Sequence, residues 1–365
     1  MNICLIGDGL ASLTLAKNLI NKNIKVDICY ENRKKPHFNS RTIGISKDNL
    51  DFFNKEIVKI NQKKICKIKK IEIYSEKFEN QKVLNFVGKK ELFSIVKNKE
   101  IFKILNSNLN KSKFFKKILV KDKVIYEKIL KDKKYDLIIN LDSKNNISKN
   151  FFSNKIMKDY SSFAYTSIIK HKKIENNKAI QIFTKIGPIA FLPISNSETS
   201  IVFSIVKQQK NITEKDFIYL IKNFNKKYEI KDFSKVEKFK LETSISRNYY
   251  KHNLLAFGDC LHKIHPLAGQ GFNMILRDIK VLSSIIQNRI DLGFPIDFSI
   301  CKEFENKTKH YNFLFSIGND FIYEFFKFDN NYKNNYLNYL LKFFSKNEIF
   351  NKFAHQYADR GLFIE

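Results

Sequence analysis

Hydrophobic positions change period several times along the chain, and each change marks an element. Asn2 to Ile6 is an apolar strand pattern, broken by the polar turn Gly7-Asp8-Gly9-Leu10-Ala11-Ser12. Leu13, Ala16, Leu19 and Ile20 then fall at helical spacing, and Ile24 to Tyr30 reads as a second strand that ends on Glu31. Far along the chain the sequence repeats this grammar. Leu254 to Phe257 is a short buried strand that breaks at Gly258-Asp259, and a loop with His265-Pro266 leads to Gly269-Gln270-Gly271. Phe272, Ile275, Ile279, Leu282 and Ile286 continue as an amphipathic helix.

Between these stretches, Ile71 to Tyr74 and Val83 to Val87 read as strands joined by a polar turn, and Lys89 to Leu109 as a helix. Val124 to Ile129 and Asp136 to Leu141 read as strands. From Phe163 to Lys207 the period becomes alternating and β-branched, the signature of an antiparallel sheet with Asn and Ser turns. Asp216 to Tyr228 reads as a helix and Phe239 to Ile245 as a strand. Asp297 to Glu365 carries Phe304, Tyr311, Leu314, Phe315, Phe321 and Phe325 at helical spacing, a pattern for helices packed on the rest of the protein.

The two glycine turns carry the candidate chemistry. A strand, a Gly-x-Gly turn, a helix and a second strand closed by an acid form the dinucleotide-binding layout. Gly7 permits the tight turn, Gly9 lets backbone approach a pyrophosphate, and Glu31 accepts hydrogen bonds from ribose hydroxyls. Ser12 stands where Gly or Ala is usual. Gly269 to Gly271 opens the second helix, where free amides and the helix dipole favour negative charge. With eleven glycines in 365 residues, three within Gly258 to Gly271 stand out.

Composition changes this picture little. The net charge of +29 rests on lysines spread along the chain, and Lys, Asn, Ile, Phe and Tyr are over-used together. Those residues share A/T-rich codons, so nucleotide bias is the simplest cause, and no nucleic-acid partner is expected. A basic surface still steers phosphate-bearing cofactors and anionic lipid inward. The five cysteines, Cys4, Cys29, Cys66, Cys260 and Cys301, lie far apart without a C-x-x-C, which implies reduced thiols and a cytoplasmic setting. No signal peptide or membrane-spanning run is read, and no metal is called for: His262 and His265 lack a third ligand nearby.

GDGLAS (Gly7 to Ser12), SRTIGIS (Ser40 to Ser46), GPIAFLPI (Gly187 to Ile194) and FGDCLHKIHPLAGQGFNMILRD (Phe257 to Asp278), in that order, resemble the class A FAD-dependent aromatic monooxygenases. The similarity is greatest to the hydroxylases of ubiquinone biosynthesis. The resemblance implies an α/β fold, an FAD-binding Rossmann-like domain with an inserted, mainly antiparallel substrate sheet and a helical C-terminal section. The boundaries it implies are 1–70, 88–160 and 246–290 for the FAD domain, 71–87 and 161–245 for the substrate domain, and 291–365 for the helices. Cofactor contacts would come from Gly7, Gly9, Ser12, Glu31, Arg41, Asp259, Pro266, Gly269, Gln270, Gly271 and Asn273. Arg41 would lie near the flavin phosphates, Asp259 at the ribityl chain or the pyrophosphate edge, and Pro266 against the isoalloxazine. GPIAFLPI would lie close to the flavin. His265 is either a base or a structural histidine.

The implied reaction uses NAD(P)H to reduce FAD, takes up O2 as a flavin C4a-hydroperoxide, and hydroxylates a lipophilic phenol, a polyprenylphenol of ubiquinone biosynthesis. Peripheral contact with the inner face of a membrane, or a place in a biosynthetic complex, stays open. So do an epoxidase or prenyl reductase activity and a non-catalytic scaffold role. The family's Asp-Gly motif followed by Ser is replaced here, with Ser143 after Asp142 and Asn146 for the Ser, which puts the reductive half-reaction in question.

Overall fold

Five strands run parallel with their carboxyl ends on one edge. They are β1 (Asn2–Ile6), β2 (Lys25–Tyr30), β8 (Phe115–Leu119), β9 (Leu137–Asn140) and β17 (Leu254–Ala256), and β16 (Tyr250–Lys251) adds an antiparallel edge. The order is β16-β17-β9-β1-β2-β8. The computed structural model describes residues 1–32, 40–76, 82–87, 91–122, 124–131, 134–206, 212–264 and 270–331. β1 is central and wholly apolar inward: Ile3, Cys4, Leu5 and Ile6 are fully buried. Each such side chain contributes about 1.5–3 kcal/mol of burial. Helices α1 (Leu10–Ile20), α3 (Asn98–Leu109) and α7 (Gln270–Asp291) share one core with this sheet.

A second sheet of nine strands is mainly antiparallel, with a parallel pair at β5 and β11. Its members are β5 (Lys70–Ser75), β6 (Lys82–Val87), β10 (Lys155–His171), β11 (Lys178–Thr184), β12 (Gly187–Pro193), β13 (Glu198–Val206), β14 (Ile230–Phe233), β15 (Glu237–Ser246) and β18 (His262–Lys263). One face is covered by α6 (Glu214–Phe224), which starts in a capping box of Thr213 and Asp216. Between the two sheets sits a three-stranded one, β3 (Thr42–Ser46), β7 (Phe93–Lys97) and β4 (Cys66–Ile68), in that order reading β3-β7-β4. Short helices α2 (Lys47–Phe52), α4 (Val124–Lys131) and α5 (Asn146–Phe151) fill the connections, and α8 (Phe298–Asn331) closes the described chain. The Rossmann-like sheet, the antiparallel sheet and the late helices agree with the fold class that the motifs implied.

Three element readings are corrected. Lys89 to Leu109 is not one helix: Phe93–Lys97 is a strand, and the helix starts at Asn98. Ile95 and Val96 are both fully buried, so that strand shows no alternation to read. Val124 to Ile129 is helix, not strand. Tyr126 and Ile129, three apart, share the buried face while Glu127 and Lys128 are exposed. The helix read to Tyr228 stops at Phe224, where Asn225 turns extended and its side chain instead holds the Tyr228 backbone. Residues 89 and 90 lie outside the described residues.

Candidate cofactor-binding site

The turns that follow β1, β9 and β17 approach one another at the carboxyl edge of the parallel sheet, the edge at which α/β folds bind ligands. Gly7 leaves β1 at φ +108, a left-handed backbone that favours glycine, and its N–H donates to the Cys29 carbonyl at 2.8 Å. A Cβ on Gly7 would lie 3.2 Å from Cβ of Asp142, two residues past the end of β9. Gly258, after β17, adopts φ +57, and a Cβ there would lie 3.4 Å from Cβ of Ala11 in the first turn of α1. The first glycine turn and the Gly258-Asp259 turn, about 250 residues apart in the chain, thus lie side by side, with room between them for little more than a methyl group.

Gly9 caps α1 without any side-chain hydrogen bond, and no acid occupies the first turn. A Cβ built on exposed Gly9 meets nothing within 4 Å. Open amides, a positive helix end and free space in front of Gly9 suit an anion such as a pyrophosphate. Ser12 is buried, 1% exposed, one turn into the same helix. Glu31, at the end of β2, accepts a hydrogen bond from Tyr126 at 3.0 Å, so a tyrosine on α4 orients the acid expected at a ribose. Sequence reasoning missed Tyr126 because it placed that stretch in a strand.

The second glycine corner is described from Gln270 onward; His265, Pro266 and Gly269 lie outside the described residues. Gln270 and Gly271 open α7, and a Cβ on Gly271 would meet nothing within 4 Å. Asn273, 2% exposed, does not aim outward. Its Oδ1 accepts from Ser46 N at 2.9 Å and its Nδ2 donates to the Gly44 carbonyl at 2.9 Å, binding α7 to β3. Asn49 Nδ2 also donates to Asn273 Oδ1 at 3.2 Å. Asn273 therefore positions the corner through its side chain. Arg41 lies just before β3, with Cζ 4.6 Å from the centroid of the Phe239 ring on β15, between the small sheet and the large one. Neighbouring Ser40 meets Thr166 on β10, Oγ to Oγ1 at 3.1 Å.

Asp259 is exposed on its turn, while Cys260 beside it is fully buried. Burial pushes the Cys260 thiol up, and the charges of Asp142 and Asp259 add to that. The Asp142 loop is tied from beneath. Asn140 Nδ2 donates to Ser148 Oγ at 2.8 Å, Asn145 Nδ2 donates to Asn140 Oδ1 at 2.8 Å, and Ser148 Oγ donates to the Asp142 carbonyl at 2.6 Å. Ser143 is exposed and needs no left-handed backbone. A second buried network went unread. His262 Nε2 meets Asp278 Oδ2 at 2.5 Å, and Asn312 Nδ2 donates to Asp278 Oδ1 at 3.0 Å. Among the described residues no group of three or more His, Cys, Asp or Glu could hold a metal.

Residues 137–353, more than half of the chain, match the family model for squalene epoxidase. The chain belongs to that family. It is also similar to ubiquinone biosynthesis monooxygenase COQ6 of Dictyostelium discoideum, 27% identical over an alignment of 183 residues that covers 40% of this chain and 37% of that protein. Against 3-demethoxyubiquinol 3-hydroxylase of Escherichia coli K12 the identity is 29% over 157 residues, 41% of this chain and 40% of that one. The match thus spans about two fifths of the length of these curated relatives. In fold, p-nitrophenol 4-monooxygenase PnpA from Pseudomonas putida superposes with a TM-score of 0.73 at 9% identity, covering 97% of each chain. These likenesses bear out the resemblance to FAD-dependent aromatic monooxygenases of the ubiquinone-hydroxylase type. Among the described residues no helix is long and apolar enough to cross a membrane.

Proposed function

We propose that the protein is an FAD-dependent monooxygenase that hydroxylates the ring of a lipophilic phenol, a polyprenylphenol of ubiquinone biosynthesis, with NAD(P)H and O2. The observation that carries this reading is the close approach of the Gly258 turn to Ala11, which brings the two distant glycine turns together beside the open space at Gly9. The two curated relatives reported above, a ubiquinone biosynthesis monooxygenase and a 3-demethoxyubiquinol 3-hydroxylase by name, support the substrate class.

In this reading residues 1–70, 88–160 and 246–290 form the cofactor part, 71–87 and 161–245 the substrate part, and 291–365 a helical section. β10 runs through residue 160, with a shift of register against β15 between Asp159 and Ser162. The amides of the Gly7-to-Ser12 turn hold the pyrophosphate and Glu31 the ribose. Arg41 stands by the phosphates, and Asp259, an exposed acceptor, takes ribityl hydroxyls better than it tolerates phosphate. Pro266, with His265, Gly269, Gln270 and Gly271, borders the isoalloxazine, and Asn273 fixes that corner to β3. FAD, when bound, supplies the redox chemistry and O2 activation. The chain excludes water, seats the phenol ring against the large sheet, and offers amides at the start of α7 to negative charge on the ring system.

Purified protein should be yellow, release FAD on denaturation, and consume NAD(P)H with a short-chain prenylphenol to give a product with one added oxygen. Protein that cannot be loaded with FAD would sink the proposal. The squalene epoxidase match favours one second reading, epoxidation of an isoprenoid double bond. A phenol with a saturated tail separates the two, since it can be hydroxylated on the ring but not epoxidised.

A further inference from the structure

The large sheet has a second cavity, on the face turned away from the cofactor crevice. Register fixes the faces. Glu72 pairs with Ile180, Tyr74 with Ile182, and Ile180 with Phe191, so these five side chains share one face. Phe191 and Tyr165 belong to the core beneath α6. Thr166, one residue from Tyr165, points the other way and meets Ser40 of the cofactor side. On the α6 face, a cavity of about 250 Å³ is lined by Glu72, Tyr74, Lys178, Ile180, Ile182, Phe191 and the chain from Asn223 to Tyr228. Its size suits a fragment of roughly one ring.

The charges in this cavity do not cancel. Glu72 is 2% exposed in its side chain and is already engaged by Lys70 at 3.1 Å, by Lys178 at 2.9 Å and by the Tyr74 hydroxyl at 2.9 Å. Lys227 Nζ donates only to neutral oxygens, Asn176 Oδ1 at 3.1 Å and the Tyr228 hydroxyl at 3.4 Å. Among the described residues it makes no ion pair. Burial, and then the charge of Lys178, hold the Lys227 ammonium below its usual value. The turn that carries it is fixed by Asn225, which donates to the Tyr228 carbonyl at 2.6 Å and accepts from Lys227 N at 3.2 Å. An ammonium held half-buried without a carboxylate, beside an apolar wall, is a costly arrangement that an anion would relieve.

We propose that this cavity binds a small organic monoanion, a carboxylate on a flat apolar body, with the carboxylate at Lys227 and Lys178 and the body against Ile180, Ile182 and Phe191. Glu72 is already met by Lys70 and Lys178, whereas Lys227 has no carboxylate partner among the described residues. The buried Glu72 carboxylate would repel a second negative charge. The site is independent of the flavin reading, since it lies on the other face of the sheet.

The test uses full-length protein and 4-fluorobenzoate, followed by fluorine NMR line broadening, with 4-fluorobenzamide as the neutral isostere. The acid should bind about tenfold or more tightly than the amide. Lys227→Met should weaken it by about the same factor. Ile180→Trp, which fills the cavity, should abolish binding, with circular dichroism confirming the fold. Should Ile180→Trp fail to fold, Lys227→Met and the amide decide alone. Equal affinity for acid and amide, no binding by the wild type, or an affinity untouched by Lys227→Met would overturn the site. That last result would also place any benzoate bound by the wild type in the crevice on the cofactor face.

Discussion

His262 and Asp278 face each other within the core, Nε2 to Oδ2, with both side chains 2% exposed. His262 lies on β18 just before residues 265–269, and Asp278 lies in α7 just after them. The pair therefore ties β18, which precedes the segment that the cofactor reading sets against the isoalloxazine, to the body of α7, which follows it. Asn312 from α8 completes it.

Removing one member should leave a buried partner stranded. Asp278→Ala is expected to cost about 1–3 kcal/mol of stability, because the buried His262 and Asn312 donors lose their acceptor. Asp278→Asn should cost less, because its amide oxygen still accepts from one of the two neighbours. Urea unfolding of both variants measures this. A loss below about 1 kcal/mol for Asp278→Ala would mean that the pair contributes little.

Gly258 gives a sharper test of convergence at the crevice. Alanine there faces a left-handed backbone costing about 1–2 kcal/mol, with its Cβ just within contact of Ala11. Valine must also push the start of α1 aside. The expected outcome for Gly258→Val is loss of bound FAD, read as the ratio of flavin to protein absorbance, well beyond that of Gly258→Ala. Equal flavin content in both variants would argue that this approach does not shape the cofactor site.

Much of this was legible in sequence, for identifiable reasons. Gly7 and Gly258 declare themselves because each turn takes a left-handed backbone that few other residues adopt. Glu31 follows from the end of an apolar strand. What failed to show has equally physical causes. Phe93–Lys97 is buried on both faces, so alternation vanished. α4 presents its apolar residues in so short a run that strand and helix spacing cannot be told apart. The Asp278 network joins residues 16 and 34 positions apart, a pairing that no local pattern encodes. Asn273 looked like a ligand at a helix start, yet its amide is spent on Gly44 and Ser46.

Electrostatics near the same segment predict an acid-sensitive contribution. Glu242 accepts from Lys263 at 2.7 Å, and this bond, the largest cause, holds its carboxyl below the usual range. A depressed folded-state value stabilises the protein above the unfolded carboxylate range, and the benefit is lost as pH falls through the folded value. The groups are about a third exposed, so screening limits the effect to roughly 0.2–1 kcal/mol. Wild type should therefore exceed Glu242→Gln in stability at neutral pH, with the gap closing below the ordinary carboxylate range and shrinking in high salt. A gap that persists in acid would assign the difference to packing.

The replaced Asp-Gly motif bears on whether reduction by NAD(P)H survives. Ser143 is exposed, and its backbone is not left-handed, so this loop does not require the glycine that the family usually carries. Its shape is held instead by the Asp142 carboxylate, which accepts from Lys144 N at 2.9 Å, and by Ser148, which donates to the Asp142 carbonyl. Ser143→Gly should therefore leave NAD(P)H oxidation within about twofold, while lowering stability by about 0.4–1 kcal/mol through the freer unfolded chain. Ser148→Ala removes the bond that fixes Asp142 beside Gly7, and should slow reduction or weaken FAD binding far more than Ser143→Gly does. Stopped-flow reduction of the flavin under nitrogen distinguishes these outcomes. A large gain on Ser143→Gly would show that the missing glycine itself, and not the support beneath Asp142, limits the reductive step.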